Sequence, residues 1–188
     1  MKKIIQMLLI ACLVVLGTQV AFANADKVTV QEGADLTAVH RLAIGSPLYM
    51  QVDPKSPNKD MLTQIVYESS RVARCYVISY DTIAQNIKAD QNIDLKALDR
   101  RTAAKDFKQY VGNYADAYVI LTVANDSRTT FFFDVYKAGT NELLYTYQIQ
   151  ANRNEGDTVA TYTNMAEQVY KHFERSAVEQ QKDNSKKK

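Results

Sequence analysis

The run Asp116–Ala151, DAYVILTVANDSRTTFFFDVYKAGTNELLYTYQIQA, constrains the fold more than any other part of the chain. Ala117–Val123 is almost wholly apolar, as a strand covered on both faces should be. Thr129–Tyr136 alternates, with Phe131, Phe133 and Val135 on one side and Phe132, Asp134 and Tyr136 on the other. Leu143–Gln150 alternates more cleanly. Leu143, Tyr145, Tyr147 and Ile149 form an apolar face, and Leu144, Thr146, Gln148 and Gln150 a mostly polar one. The breaks Asn125–Arg128 and Ala138–Asn141 have the composition of tight turns, and Gly139 supplies a residue for positive φ. The pattern predicts an antiparallel three-stranded meander that exposes Thr146, Gln148 and Gln150.

Elements upstream read as strand, helix, strand, helices. Arg41–Gly45 is a short apolar run, and Leu62, Ile65, Val66, Ser69, Val72 and Ala73 recur at helical spacing behind a cap at Asp60. Cys75–Ser79 reads as a second strand. Asp81 is a cap for a helix to about Lys88, Asp94 caps a turn with Leu95 and Leu98, and a helix from about Arg101 to Val111 aligns Ala104, Phe107, Lys108 and Val111 before Gly112. After the meander, a helix starting at Asp157 or Thr158 aligns Val159, Tyr162, Ala166, Val169, Tyr170 and Phe173. The expected fold class is α/β: a single mixed five-stranded sheet, strand-helix-strand-helix-strand followed by the antiparallel meander, with helices packed on it and a C-terminal helix. Residues 39–176 are expected to form this domain. Residues 26–38 form a lead-in with Val28–Val30 as a candidate edge strand, and 177–188 a disordered Lys-rich tail.

The first residues read as an export signal. Met1-Lys2-Lys3 is basic, Ile4–Gly17 is apolar except for Gln6, and Ala21-Phe22-Ala23-Asn24-Ala25 offers small residues for cleavage after Ala23 or, preferably, Ala25. Leu9-Ile10-Ala11-Cys12 matches a lipobox, yet Leu13–Leu16 stay apolar beyond it, which disfavours a lipid anchor at Cys12. The apolar run is also short against the ~20 residues of a membrane span. The expected location is therefore periplasmic or secreted, with no integral span after cleavage. Residues 26–188 carry 21 basic and 21 acidic side chains, so no basic field for nucleic acid is expected. Cys75 is left alone after cleavage and lies in an apolar run, which suits a buried inert thiol.

Familiar catalytic patterns are missing from the sequence. The two histidines, His40 and His172, have no cysteine or carboxylate at metal-ligand spacing, and no G-x-S-x-G, P-loop or G-x-G-x-x-G is present. No metal or cofactor is expected. Asp134, set among Phe131, Phe132, Phe133, Val135 and Tyr136, has two readings. Buried, it would be an acid or base with a raised pKa; on the strand's second face it is a solvated or paired carboxylate, the reading preferred here. All three prolines, Pro47, Pro54 and Pro57, fall in the long loop Ser46–Asp60, a length often used for function.

The layout of Arg41–Gly45, a strand leading to Ser79-Tyr80-Asp81, and Asn113-Tyr114-Ala115-Asp116-Ala117-Tyr118-Val119 entering the meander resembles the amino-terminal domain of TolB and the periplasmic domain of the curli-secretion lipoproteins. The resemblance spans most of residues 40–175 and implies a non-enzymatic envelope module that binds other proteins. On this reading Tyr49, Pro54 and Pro57 are candidate contacts for an envelope protein partner, with an open sheet edge as a second route. A small-ligand carrier with a pocket at the carboxyl ends of the parallel strands is the alternative. A hydrolase would need a carboxylate pair, which the sequence does not reveal.

Overall fold

The computed structural model describes residues 26–186. The expected signal peptide, with both cleavage positions and Cys12, lies outside the described residues. Within them one mixed sheet runs in the order β1-β6-β5-β4-β2-β3. Its strands are β1 (Lys27–Val30), β2 (Arg41–Ile44), β3 (Tyr76–Ile78), β4 (Ala117–Asn125), β5 (Thr129–Lys137) and β6 (Leu143–Gln150). Strands β2, β3 and β4 are parallel, while β4, β5, β6 and β1 pair antiparallel.

The meander forms with the predicted facing from Tyr145 onward, but at the start of β6 a register shift opposite Val135 and Tyr136 leaves Leu143, predicted on the apolar face, half-buried and places Leu144, predicted on the polar face, in the core. Tyr145 and Tyr147 are fully buried and Ile149 nearly so, while Thr146, Gln148 and Gln150 across the pleat are half-buried. The sheet has six strands rather than the predicted five. The sixth, β1, is the candidate edge strand Val28–Val30 of the lead-in, begun one residue earlier, where Val28 pairs with Tyr147 and Val30 with Tyr145. All four residues of β1 are exposed, so its sequence carries little of the alternation that marks a half-buried strand.

Four α-helices pack on the sheet: α1 (Lys59–Ser69), α2 (Tyr80–Gln91), α3 (Arg100–Tyr110) and α4 (Val159–Lys186). On one face α1 and α4 cover the meander. Phe131 meets Tyr162, Phe133 meets Tyr170 and Tyr145 meets Phe173, each edge to face with ring centroids 5.3–5.4 Å apart. Such pairs add about 0.5–1.5 kcal/mol each beyond the burial of their area. On the other face α2 and α3 place Ile83, Ala84, Ile87, Phe107 and Val111 against Ala43, Ile78 and Tyr118. Further along that second face, Thr122, Phe132, Asp134, Thr146 and Gln148 remain half-buried.

Helix boundaries differ from expectation in instructive ways. The α1 cap is Asn58, whose side chain accepts from Met61 N, and the α2 cap is Ser79, accepting from Thr82 N. Asp60 and Asp81 sit instead in the first turns, where a carboxylate complements the helix dipole. α2 ends at Asn92 in the left-handed region, φ 55°. Helix α4 does not stop near Ser176 with a disordered tail behind it but runs on to Lys186. The Gln180 amide holds the extension: its oxygen accepts from Leu36 N at 2.7 Å and its nitrogen donates to Ala34 O. Val159, expected in the buried stripe, is exposed at the first turn.

Candidate functional site

The loop after β2 begins as a continuation of the sheet. Gly45 N donates to Val119 O at 2.8 Å, Leu48 N to Leu121 O at 2.8 Å, and Val123 N to Leu48 O at 3.0 Å. Glycine is required at the bend, because a Cβ at position 45 would collide with the Ile120 side chain and stand 3.0 Å from Val119 O. Beyond Leu48 the chain is pinned to itself and to the core. The Tyr49 hydroxyl donates to Pro57 O at 2.7 Å while its ring meets Tyr162 edge to face at 6.1 Å. Gln51 Nε2 donates to Ser56 O at 2.7 Å, and Ser56 Oγ to Asp53 O at 2.6 Å. The three predicted contacts therefore part company. Tyr49 is half-buried and turned inward, Pro57 is buried, and Pro54 is exposed.

A cleft of about 1080 Å³ opens where β2 and β3 end. Its walls are Ser46 and Leu48, the first turns of α1 and α2, and one side of α3. The stripe predicted on α3 is split by function: Phe107 and Val111 are buried, while Ala104 and Lys108 line the opening. Phe107 is locked edge to face on Tyr118 at 5.7 Å and tilted against Tyr80 at 5.9 Å, which fixes the floor. Leu48, Met61, Tyr67 and Leu98 surround it and stay 36–44% exposed, an unusual number of large apolar groups around one opening.

The charged lining is asymmetric. Lys59, Lys96, Arg100 and Lys108 face the cleft together with Asp60 and Asp81. Lys96 pairs with Asp81 at 2.8 Å, and that bond raises the Lys96 pKa. The Lys108 ammonium sits 5.9 Å from the centre of the Tyr136 ring, on its face. Burial raises the pKa of the Tyr80 phenol at the cleft wall, so it stays protonated.

The other sequence candidates lie elsewhere and apart. Asp134 is on the half-buried face, where Thr146 Oγ1 donates to its carboxylate at 2.7 Å across the β5–β6 ladder. That is the paired arrangement preferred from sequence. His172 on α4 stacks on Tyr147, and burial first, then Arg175, lowers its pKa. His40 is exposed at the start of β2, far along the chain from His172. Cys75 is partly buried, and burial, reinforced by Glu174, pushes its thiol up to about 12. Among the described residues no group of His, Cys, Asp and Glu could hold a metal ion, and no helix is long and apolar enough to cross a membrane.

No protein-family model matches the chain, and no curated protein matches it in sequence. Solved structures with a similar layout include the LpoB C-terminal domain from Escherichia coli, at 14% identity and a TM-score of 0.46, covering 61% of this chain and 84% of that one. They also include the PelC dodecamer from Paraburkholderia phytofirmans, at 10% identity and a TM-score of 0.45, covering 80% and 98%. The hypothetical protein CT253 from Chlamydia trachomatis follows at 10% identity and a TM-score of 0.37, covering 74% and 94%. Likeness of this degree is one of layout, and nothing about this chain's role is drawn from it.

The cleft lies at the carboxyl ends of the parallel strands, the place the carrier reading gave for a pocket, but its lining residues were not legible because the walls come from four separate segments. Ser46–Leu48, Asn58–Tyr67, Ser79–Arg100 and Ala103–Ile120 each look locally like ordinary loop or helix. One signal was present: Lys108 sits in an otherwise apolar stripe on α3, a mismatch that marks a face partly open to solvent.

Proposed function

We propose that this chain is an exported, non-enzymatic binding module of the cell envelope, and that the cleft at the ends of β2 and β3 seats a protein partner. The observation that carries the reading is the ring of exposed Leu48, Met61, Tyr67 and Leu98 around an opening whose floor is rigid. Apolar groups gathered at one concave place are characteristic of interaction sites. The surface contact expected from the proline-rich loop narrows to Pro54, with exposed Met50 and Val52 just before it, because Tyr49 and Pro57 hold the loop together. Support for a non-enzymatic role comes from the cleft's own groups: Asp81 is paired with Lys96, and Tyr80 is kept protonated. The test is photo-crosslinking in the native host, with a photoreactive residue replacing Tyr67 or Leu98 and, as a control, Asp126. Protein adducts from the first two positions and none from the third are expected. Equal adducts at all three, or none at Tyr67 and Leu98, would overturn the proposal.

A second reading, the small-ligand carrier, is favoured by where the cleft lies. β2 stands between β3 and β4, so the chain leaves it in one direction and returns on the other side, the crevice in which open α/β sheets hold ligands. At about 1080 Å³ the opening is slightly larger than the roughly 300–1,000 Å³ of typical small-molecule sites. Native mass spectrometry of protein purified from its own envelope separates the two readings, since a carrier retains a small mass.

A further inference from the structure

We infer that the cleft selects an extended peptide segment that alternates carboxylates with large apolar side chains; this rests on the reading of the cleft as a protein-docking site. Four cations and two carboxylates line it, and the Lys96–Asp81 pair neutralises one of each. Lys59, Arg100 and Lys108 are left against Asp60 alone. Among the described residues no carboxylate forms an ion pair with any of those three cations. This excess sits in a domain of the opposite sign, since residues 26–186, to the end of α4, hold 19 basic and 21 acidic side chains.

Positive charge gathered in a cleft of a net-acidic body marks the sign of what binds there, because a concave low-dielectric wall focuses the field outward. The apolar members set the rest of the chemistry. Leu48 and Ile120 lie at the sheet side of the opening, Met61 and Tyr67 on α1, and Leu98 before α3, so apolar seats flank the cations instead of forming a separate patch. A simple inorganic anion would leave those seats unused, and a purely apolar ligand would leave Arg100 and Lys59 facing greasy surface. A chain with acidic and apolar side chains in alternation satisfies both. In an extended conformation it presents the two sets alternately, carboxylates to Lys59, Arg100 and Lys108 and apolar side chains to Met61, Tyr67 and Leu98.

The test uses residues 26–188, which hold every strand and helix of the fold described above. Three short fluorescein-labelled peptides are compared: glutamate alternating with leucine and phenylalanine, the same with glutamine, and the same with lysine. Fluorescence polarisation should show saturable binding of the glutamate peptide, weaker binding of the glutamine peptide and none of the lysine peptide. Lys59→Glu combined with Arg100→Glu should weaken the glutamate peptide by about tenfold or more, and added salt should do the same. Both side chains are exposed, so circular dichroism should show the double variant folded. Amide chemical-shift mapping locates the peptide. Binding of all three peptides alike in the cleft overturns the acidic preference and leaves the docking reading standing. Binding of none of them in the cleft overturns both. Binding to anionic lipid vesicles that the glutamate peptide cannot displace, with the same charge-reversal effect, assigns the cations to a membrane surface and also overturns the inference.

Discussion

The imidazole of His172 lies flat on the ring of Tyr147, with centroids 4.5 Å apart and planes 16° from parallel. Tyr147 in turn donates its hydroxyl to Asp26 at 2.6 Å, so the stack ties α4, β6 and the start of β1 together. Burial on this ring, with Arg175 beside it, lowers the His172 pKa more than the opposing pull of Asp26 and Glu179 raises it.

That depression sets a pH dependence. The unfolded chain takes up a proton near the ordinary value of 6.5, before the folded chain does. Stability is therefore full above 6.5 and falls as pH drops through it towards the lower folded value. Thermal melts at stepped pH should show the melting temperature declining over this window, and His172→Phe, which keeps the stack, should flatten the decline. An unchanged slope in the variant would remove His172 as its source.

The loop after β2 is a fixed structure, and its variants should report that. Tyr49→Phe removes the bond to Pro57 O and should cost about 1 kcal/mol in urea denaturation. Asn58→Ala removes the α1 cap and should cost a similar ~1 kcal/mol. Pro54→Ser, at an exposed position, should change stability by less than about 0.5 kcal/mol.

Gly45→Ala should destabilise by about 1–3 kcal/mol. The far end of Ile120 can swing into the cleft to make room, but Val119 O accepts the Gly45 N–H at 2.8 Å and cannot retreat without loosening the β2–β4 ladder. Chemical denaturation measures the loss, and a variant as stable as the parent would contradict this account of the bend.

Cys75 should resist alkylation in the folded protein. With its pKa pushed from 9.0 to about 12, the thiolate fraction at mildly alkaline pH drops about a thousandfold. Iodoacetamide labelling followed by mass spectrometry should track unfolding, and rapid labelling of the native chain would refute the burial argument.

Cutting the chain after Ser176 should lower the melting temperature, whereas removing only Lys182–Lys188 should leave it nearly unchanged. The first deletion takes away Gln180, which bonds both Leu36 N and Ala34 O, and Ala177, which packs against the core. Gln180→Ala alone should account for about 1–2 kcal/mol of the loss.

What could be read in advance follows the strength of the local pattern. The meander was legible because Tyr145, Tyr147 and Ile149 alternate with polar residues in a strand half-covered by α4. α4 was legible as far as Phe173 for the same reason. Its continuation was hidden because it is held by an amide reaching back more than a hundred residues, a contact without periodicity. β1 was legible as a candidate edge strand at Val28–Val30 but not in its pairing, since its register comes from β6 and not from its own exposed side chains. The caps were displaced by two residues because Asp60 and Asp81 are as suitable in type as Asn58 and Ser79, and only backbone geometry separates them. The place of a cleft at the strand ends followed from the parallel layout, but its lining needed tertiary structure, because it gathers from segments that never adjoin in sequence.

The parallel bridge between Leu48 and Thr122 means that one side of the cleft is sheet backbone, not a free strap. A partner seated there would meet a wall whose shape the sheet already fixes. Association there should be governed by the frequency of well-oriented collisions, with partner exchange controlled almost wholly by how quickly the visitor leaves.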